Sequence, residues 1–216
     1  VAFWVAPNIE YYELDPPLNP QRNPWPHPHP SVPGYSIRDY GNRVGHQRQM
    51  SLLDKYGIRG SVSLSVALCE HHPEIIQMCR ERDWEFFSHG IYNTRYTYGL
   101  SEAQERAMIR DSMETIHRHT DQACAGYLAP ALSHSERTLD LFAEVGEELF
   151  GEKGGLYTCD LFHDDQPTPI SVRSGKRFIS MPYSLEMNDT IVYAVNKVEP
   201  RQYATMLKRH FDRLYA

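Results

Sequence analysis

Five short stretches hold the residues that could do chemistry. They are Asn8-Ile9-Glu10, Ser88-His89-Gly90-Ile91-Tyr92-Asn93, Ala129-Pro130, Asp160 followed by Asp164-Asp165, and Pro182-Tyr183-Ser184. Each follows an apolar segment, so a carboxylate, an imidazole, an amide and further carboxylates arrive at successive strand ends. Such a set suits hydrolysis. Water is a poor nucleophile at neutral pH, so a carboxylate or a metal must activate it and a donor must meet the developing oxyanion. Glu10 is the candidate general base. His89 is the candidate donor to the oxyanion or the leaving nitrogen, Asn93 orients the carbonyl, and Asp160 completes the catalytic candidates. Tyr92, Pro130, Tyr183 and Asn188 are candidate substrate contacts. Each also has a plain structural alternative: Glu10 as a solvated loop carboxylate, His89-Gly90 as a turn, and the tyrosines as packing. Asp164-Asp165 fits a turn, because Asp favours turns and Pro167 follows. His117 and His119 lie two apart on a helix and face different ways, so they share no metal.

These residues need a scaffold in which strands alternate with helices. Strands are expected at Ala2–Asn8, Ser61–Val66, Trp84–Phe87, Ala125–Ala129, Leu156–Cys159 and Phe178–Met181. Helices are expected over 42–56, over 73–83 with Pro73 at its first position, and over 101–119 behind the capping box Ser101-Glu102-Ala103-Gln104. Ser133-His134-Ser135-Glu136 is expected to cap the helix carrying Leu139, Phe142 and Val145, and Glu199-Pro200 opens a last helix. His71-His72 reads as the entry to the helix at Pro73. This order predicts an α/β fold with a parallel sheet and function at the carboxyl ends of its strands. Residues 16–33 carry eight of the fifteen prolines and read as an extended surface loop. His27 and His29 on that loop lack a third ligand and read as solvated. The segment 147–155 lengthens a helix-to-strand link beyond the usual length of about 2–6 residues.

The chain has 216 residues, 41% of them hydrophobic and 23% charged, which suits one domain with a real core. No apolar run approaches the roughly 18 residues of a membrane span. A net charge of −6 argues against a nucleic-acid surface. Four cysteines without a Cys-x-x-Cys pair suit a reducing, cytoplasmic compartment. The chain opens without Met and closes inside helical periodicity, so we expect a single domain over 1–216 truncated at both ends.

Taken together and in order, these stretches resemble the polysaccharide deacetylase (NodB-homology) superfamily, and most closely its allantoinase-like branch. The resemblance rests on Tyr40-Gly-Asn-Arg-Val-Gly45, Phe87-Ser-His89-Gly90, Tyr127-Leu-Ala-Pro130 with Glu136-Arg-Thr-Leu139, Tyr157-Thr-Cys-Asp160 with Asp164-Asp165-Gln-Pro167, and Met181-Pro-Tyr-Ser-Leu-Glu-Met-Asn-Asp189. It implies a distorted (β/α) barrel of about six to seven parallel strands and a hydrolase of carbon–nitrogen bonds. The family's first motif pairs a base with a metal-binding carboxylate. Glu10 matches the base, while Tyr11 stands at the metal position. The second motif supplies two histidines four apart; here they are His89 and Asn93. Leu128-Ala129 replace the arginine usual before the third-motif proline. The resemblance thus implies metal-independent, or weakly metal-assisted, cleavage of a small amide, imide or ureido compound, with no cofactor required and weak zinc binding left open. Two alternatives remain: a metal-dependent deacetylase of N-acetylated polysaccharide or peptidoglycan, and a non-catalytic ligand-binding barrel. The expected partner is a small-molecule or sugar substrate, with neither nucleic acid nor membrane, and the branch implies a homo-oligomer. It also implies a last motif, a strand carrying an assisting histidine, after Ala216.

Overall fold

A computed structural model describes residues 3–17 and 30–216; most of the proline-rich loop, with His27 and His29, lies outside the described residues. Seven strands form one sheet: β1 (Asn8–Ile9), β2 (Ser61–Leu64), β3 (Glu85–Ser88), β4 (Gly126–Tyr127), β5 (Tyr157–Thr158), β6 (Thr168–Ile170) and β7 (Phe178–Ser180). Their spatial order is β1-β2-β3-β4-β5-β7-β6, and all neighbours are parallel except β6, which runs antiparallel to β7. The helices are α1 (Val32–Tyr40), α2 (His46–Tyr56), α3 (Leu68–His71), α4 (Pro73–Arg80), α5 (Glu102–Thr120), α6 (Thr138–Phe150) and α7 (Pro200–Tyr215).

Both sheet faces are buried, as side chains alternate across a strand. On one face Val62, Leu64, Phe86 and Tyr127 meet Ile75, Ile109, Met113, Ile116, Leu141 and Phe142 from the helices. On the other, Phe87, Leu128 and Cys159 gather Trp4, Ala6, Met181 and Tyr183. This double burial is what a parallel sheet wrapped by crossover helices requires.

The expected strands and helices occupy their expected regions, with shorter ladders. The first strand pairs at Asn8–Ile9, preceded by one bridge between Val5 and Gly60. The capping box is complete: Ser101 Oγ accepts from Gln104 N at 3.4 Å and Gln104 Oε1 accepts from Ser101 N at 2.9 Å. Three features depart from expectation. Val32 and Pro33, read as the end of the loop, open α1, where Ser31 Oγ accepts from Gly34 N and proline is tolerated in the first turn. Strand β6 contains Pro169; at the sheet edge the missing N–H faces no partner strand. The helix after β4 begins at Thr138 and not behind Ser133; Ser135 turns the chain into it, with Ser135 Oγ accepting from Arg137 N at 3.2 Å and Thr138 Oγ1 accepting from Ser135 N at 2.8 Å, while both hydroxyls donate to buried Glu105 on α5.

The long 147–155 link also has a physical account. Helix α6 continues to Phe150, and the chain then folds back so that Gly154 and Gly155 lie directly on Gly146 and on the Phe142 and Ala143 backbone.

Candidate active site

Alternation in the extended chain around β1 puts Asn8, Glu10 and Tyr12 on one side and Tyr11 on the other. Tyr11 accordingly leaves the site: its ring stacks on His71 at 4.1 Å and its hydroxyl lies 3.3 Å from that of Tyr35. Glu10 turns inward. Its Oε2 accepts from the Tyr12 hydroxyl at 2.7 Å and from Asn93 Nδ2 at 2.9 Å, while Oε1 lies 3.3 Å from His89 Nε2. Tyr12 and Asn93 also touch each other. Asn42, from the π turn joining α1 to α2, ties the Glu10 carbonyl at 3.1 Å.

His89 follows β3 and is fixed from two sides. Its backbone N–H donates to Leu64 at 2.8 Å, and its Nδ1 lies 2.7 Å from the Leu128 carbonyl. A carbonyl only accepts, so Nδ1 carries a proton and Nε2 is the atom that meets Glu10. Burial alone would lower the His89 pKa, but the close approach and charge of Glu10, with the Leu128 carbonyl, outweigh it and the value rises. Burial likewise pushes Glu10 up, yet His89 and Tyr12 bring it below its ordinary value of 4.5. The two form a carboxylate–imidazolium pair. The 3.3 Å approach is poorly aligned, so His89 Nε2 remains without a proper hydrogen bond, as do Asn93 Oδ1 and Asn8 Oδ1.

The next residue, Gly90, adopts φ +69°, and a Cβ there would meet Pro130 Cγ at 2.7 Å. Pro130 therefore braces the turn behind His89. Asp160, beyond β5, is fully buried at its side chain; Oδ1 accepts from Ala129 N at 2.9 Å and Oδ2 from Thr158 Oγ1 at 3.0 Å. Burial raises its pKa above 3.8 despite those bonds.

Glu10, His89 and Asn93 thus form one constellation, and Asp160 and Pro130 adjoin it. Tyr183 is linked to Asn8, and the Asn188 amide donates to its hydroxyl at 2.6 Å. Asn188 Oδ1 accepts from Ile191 N at 3.1 Å, so this residue orients Tyr183 and caps the π turn over Thr190–Val195. Tyr92 packs on Tyr11 and His71, with Arg95 over its ring, outside the direct contacts of Glu10. Asp164 forms a turn, accepting from Gln166 N and Thr168 Oγ1. Sequence reasoning missed Tyr12 as a partner of Glu10, although the two-residue spacing carries that signal. It also assigned His134 to a helix cap, whereas His134 Nδ1 lies 3.9 Å from Asp160 Oδ1.

Among the described residues no group of three or more His, Cys, Asp or Glu side chains is arranged to hold a metal. Glu10 and His89 make two, and the Asn93 amide turns its N–H towards the carboxylate rather than presenting oxygen beside it. This donor set does not fit the three-ligand zinc site of a hydrolase. Protein purified without chelator is accordingly expected to carry well below one equivalent of zinc by mass spectrometry. Stoichiometric zinc lost in His89→Ala would overturn that expectation.

Comparison with known proteins places this arrangement. A curated relative, the peptidoglycan deacetylase of Helicobacter pylori, is 28% identical over 160 residues, covering 74% of this chain and 51% of its own length; the chain spans about half of that protein. Among solved structures, the Puue allantoinase superposes with TM-score 0.79 at 22% identity, over 98% of this chain and 72% of its own, which shows a shared fold. A probable polysaccharide deacetylase from Pseudomonas aeruginosa PAO1 superposes with TM-score 0.74 at 26% identity, over 86% of this chain and 59% of its own. The fold shared with these neighbours is thus α/β, a seven-stranded and mostly parallel sheet with β6 as its one antiparallel member. The family model described as polysaccharide deacetylase matches residues 35–150, more than half the chain and including His89, Asn93, Pro130 and His134. The chain belongs to the polysaccharide deacetylase family of carbon–nitrogen bond hydrolases.

Proposed function

We propose that this chain hydrolyses the carbon–nitrogen bond of a small amide, imide or ureido compound, with Glu10 as general base. The observation that carries this reading is the Glu10 carboxylate, kept ionised by Tyr12 and His89 and oriented by Asn93. Water bound at that carboxylate gives up a proton to Glu10 as its oxygen attacks the carbonyl carbon. The misaligned Nε2–H of His89 turns to the oxyanion, where its charge stabilises the transition state more than the ground state. Asn93 holds the carbonyl in line. The buried aromatic wall around Phe87, Leu128 and Tyr183 limits water and strengthens these interactions.

The pH dependence follows from the two shifts. Glu10 must be ionised and its pKa lies below 4.5, so the acid limb of kcat/KM is expected below pH 4.5. His89 must be charged and its pKa lies above 6.5, so the alkaline limb is expected above pH 6.5. Turnover of a panel of cyclic imides, ureides and simple amides across pH tests both. An acid limb above 4.5, or a rate that climbs steadily through 6.5, would remove Glu10 and His89 from these roles.

A second reading is removal of an acetyl group from an N-acetylated sugar. The Helicobacter pylori relative, named a peptidoglycan deacetylase, favours it. Including N-acetylglucosamine oligomers in the panel, with and without added divalent metal, separates the two substrate classes.

A further inference from the structure

Strand alternation turns a phenol towards the same side of the sheet as the Glu10 constellation. Ala6, Phe87, Leu128 and Met181 come from four different strands or their continuations and meet in the second apolar cluster. Two residues further along stand Asn8, His89, Pro130 and Tyr183, which the two-residue period points the same way. Glu10 follows Asn8 by two more. Tyr183 packs against that cluster, meets Asn8, and lies within electrostatic reach of Glu10. His89 and Asn93 reach Glu10 from the end of β3, whereas Tyr183 comes from the end of β7.

The surrounding hydrogen bonds settle where the Tyr183 proton does not point. Ile191 N donates to Asn188 Oδ1 at 3.1 Å, which fixes the orientation of that amide. Asn188 therefore presents Nδ2 to the phenol oxygen, at 2.6 Å. An amide N–H₂ only donates, so the phenol oxygen accepts and its own proton is directed elsewhere. Burial raises the Tyr183 pKa, while Asn188 and Asn8 both act to lower it, as donors to a phenol oxygen do. Asn8 Oδ1 is buried without a hydrogen-bond partner, so it does not take the proton either. The raised pKa keeps the hydroxyl protonated at neutral pH. Tyr183 thus carries an O–H whose acceptor is not supplied by the residues that hold its oxygen.

We propose that Tyr183 is a specificity-determining donor to a second carbonyl of the substrate, with Asn188 as the positioning residue that sets the direction of its proton. The assignment rests on the hydrolytic reading above and narrows its substrate class to imides and ureido rings. The reacting carbonyl is met by His89 and Asn93 from one strand end, and Tyr183 addresses another edge of the bound ring from a different one. Cyclic imides and cyclic ureides carry carbonyls on both sides of one nitrogen, so one can react while the other is held. A simple amide leaves the O–H unpaired, and a site built to bond a polar group discriminates against a ligand that lacks it.

A contrast between two-carbonyl and one-carbonyl substrates tests the donor. Glutarimide offers two carbonyls, and 2,2,2-trifluoroacetanilide, an activated amide, offers one. In Tyr183→Phe, kcat/KM for glutarimide is expected to fall about 10–100-fold, with a change under about threefold for the anilide. Asn188→Asp is expected to give the same split with the phenol still in place. One carboxylate oxygen keeps the bond from Ile191 N, while the other is now an acceptor and turns the Tyr183 proton away from the substrate. A residue that merely packs would not produce this second result. Equal losses on both substrates, an undiminished glutarimide rate in either variant, or a wild type that hydrolyses the anilide alone would each overturn the proposal. If the wild type hydrolyses glutarimide alone, its loss in both variants decides. If it hydrolyses neither, the hydrolytic reading falls by itself, and glutarimide binding followed by ligand-observed NMR still tests the donor. A Kd raised about tenfold in both variants keeps it; no binding, or the same Kd in wild type and variants, overturns it. Circular-dichroism melts check folding, and Asn188→Asp carries the contrast should Tyr183→Phe fail to fold.

Discussion

Glu10→Gln is expected to lower turnover about 10²–10⁴-fold on any amide the wild type hydrolyses. The size follows from the surroundings of Glu10. The substitution keeps the shape but removes the proton acceptor, and it creates a mismatch of donors. Both carboxylate oxygens face donors: His89 Nε2 on one side, Tyr12 and Asn93 on the other. A glutamine amide turns its N–H₂ towards His89 Nε2, a donor against a donor while the imidazole is charged and a hydrogen bond once it is neutral with its proton on Nδ1. His89 loses its counter-charge as well. Burial is then opposed only by the Leu128 carbonyl and the charge of Asp160, so the pKa of the imidazole falls. In the wild type, the raised His89 contributes stability that is full below pH 6.5 and is lost as pH rises through the folded-state value. That component of the pH–stability curve is expected to shrink in Glu10→Gln. Kinetics and thermal melts between pH 5 and 9 check both effects, and undiminished turnover would end the role of Glu10 as base.

Gly155→Ala is expected to destabilise the fold by about 3 kcal/mol, since backbone strain and overpacking each cost of order 1–3. Gly155 has φ +60°, and a Cβ there would sit 2.6 Å from the Phe142 carbonyl oxygen and 3.0 Å from Ala143 Cα. No side-chain movement relieves a clash with helix backbone. Since β5 starts two residues later and leads into Asp160, the same change is expected to disturb the site as well as the core. A urea titration gives the magnitude, and a loss under 0.5 kcal/mol would show that the link can shift away from α6.

Much of the scaffold was legible in the sequence because it depends on local chemistry. The Ser101 box and the Val62-Leu64 alternation are read within a few residues. The pairing of Glu10 with His89 and Asn93 was accessible as a set of strand ends, and the parallel order brings those ends together. What escaped depends on distant partners. Nothing near Ser133 announces that Glu105, some thirty residues earlier, will be buried against Ser135 and Thr138 and accept from both hydroxyls. Pro169 argues against a strand until its edge position is known. The glycines at 154 and 155 read as a loop, since their close approach to α6 is a tertiary fact.

The four cysteines have a practical consequence. Cys69, Cys79, Cys124 and Cys159 are all free and buried, and burial pushes the first three thiols up to about 12. The thiolate is the reactive form, so the native chain offers alkylating reagents almost none of it. A single cysteine introduced on the surface would therefore take a spectroscopic label against a silent background. The native four, in turn, become a clock: their alkylation rate in an unmodified sample reports how often the fold opens.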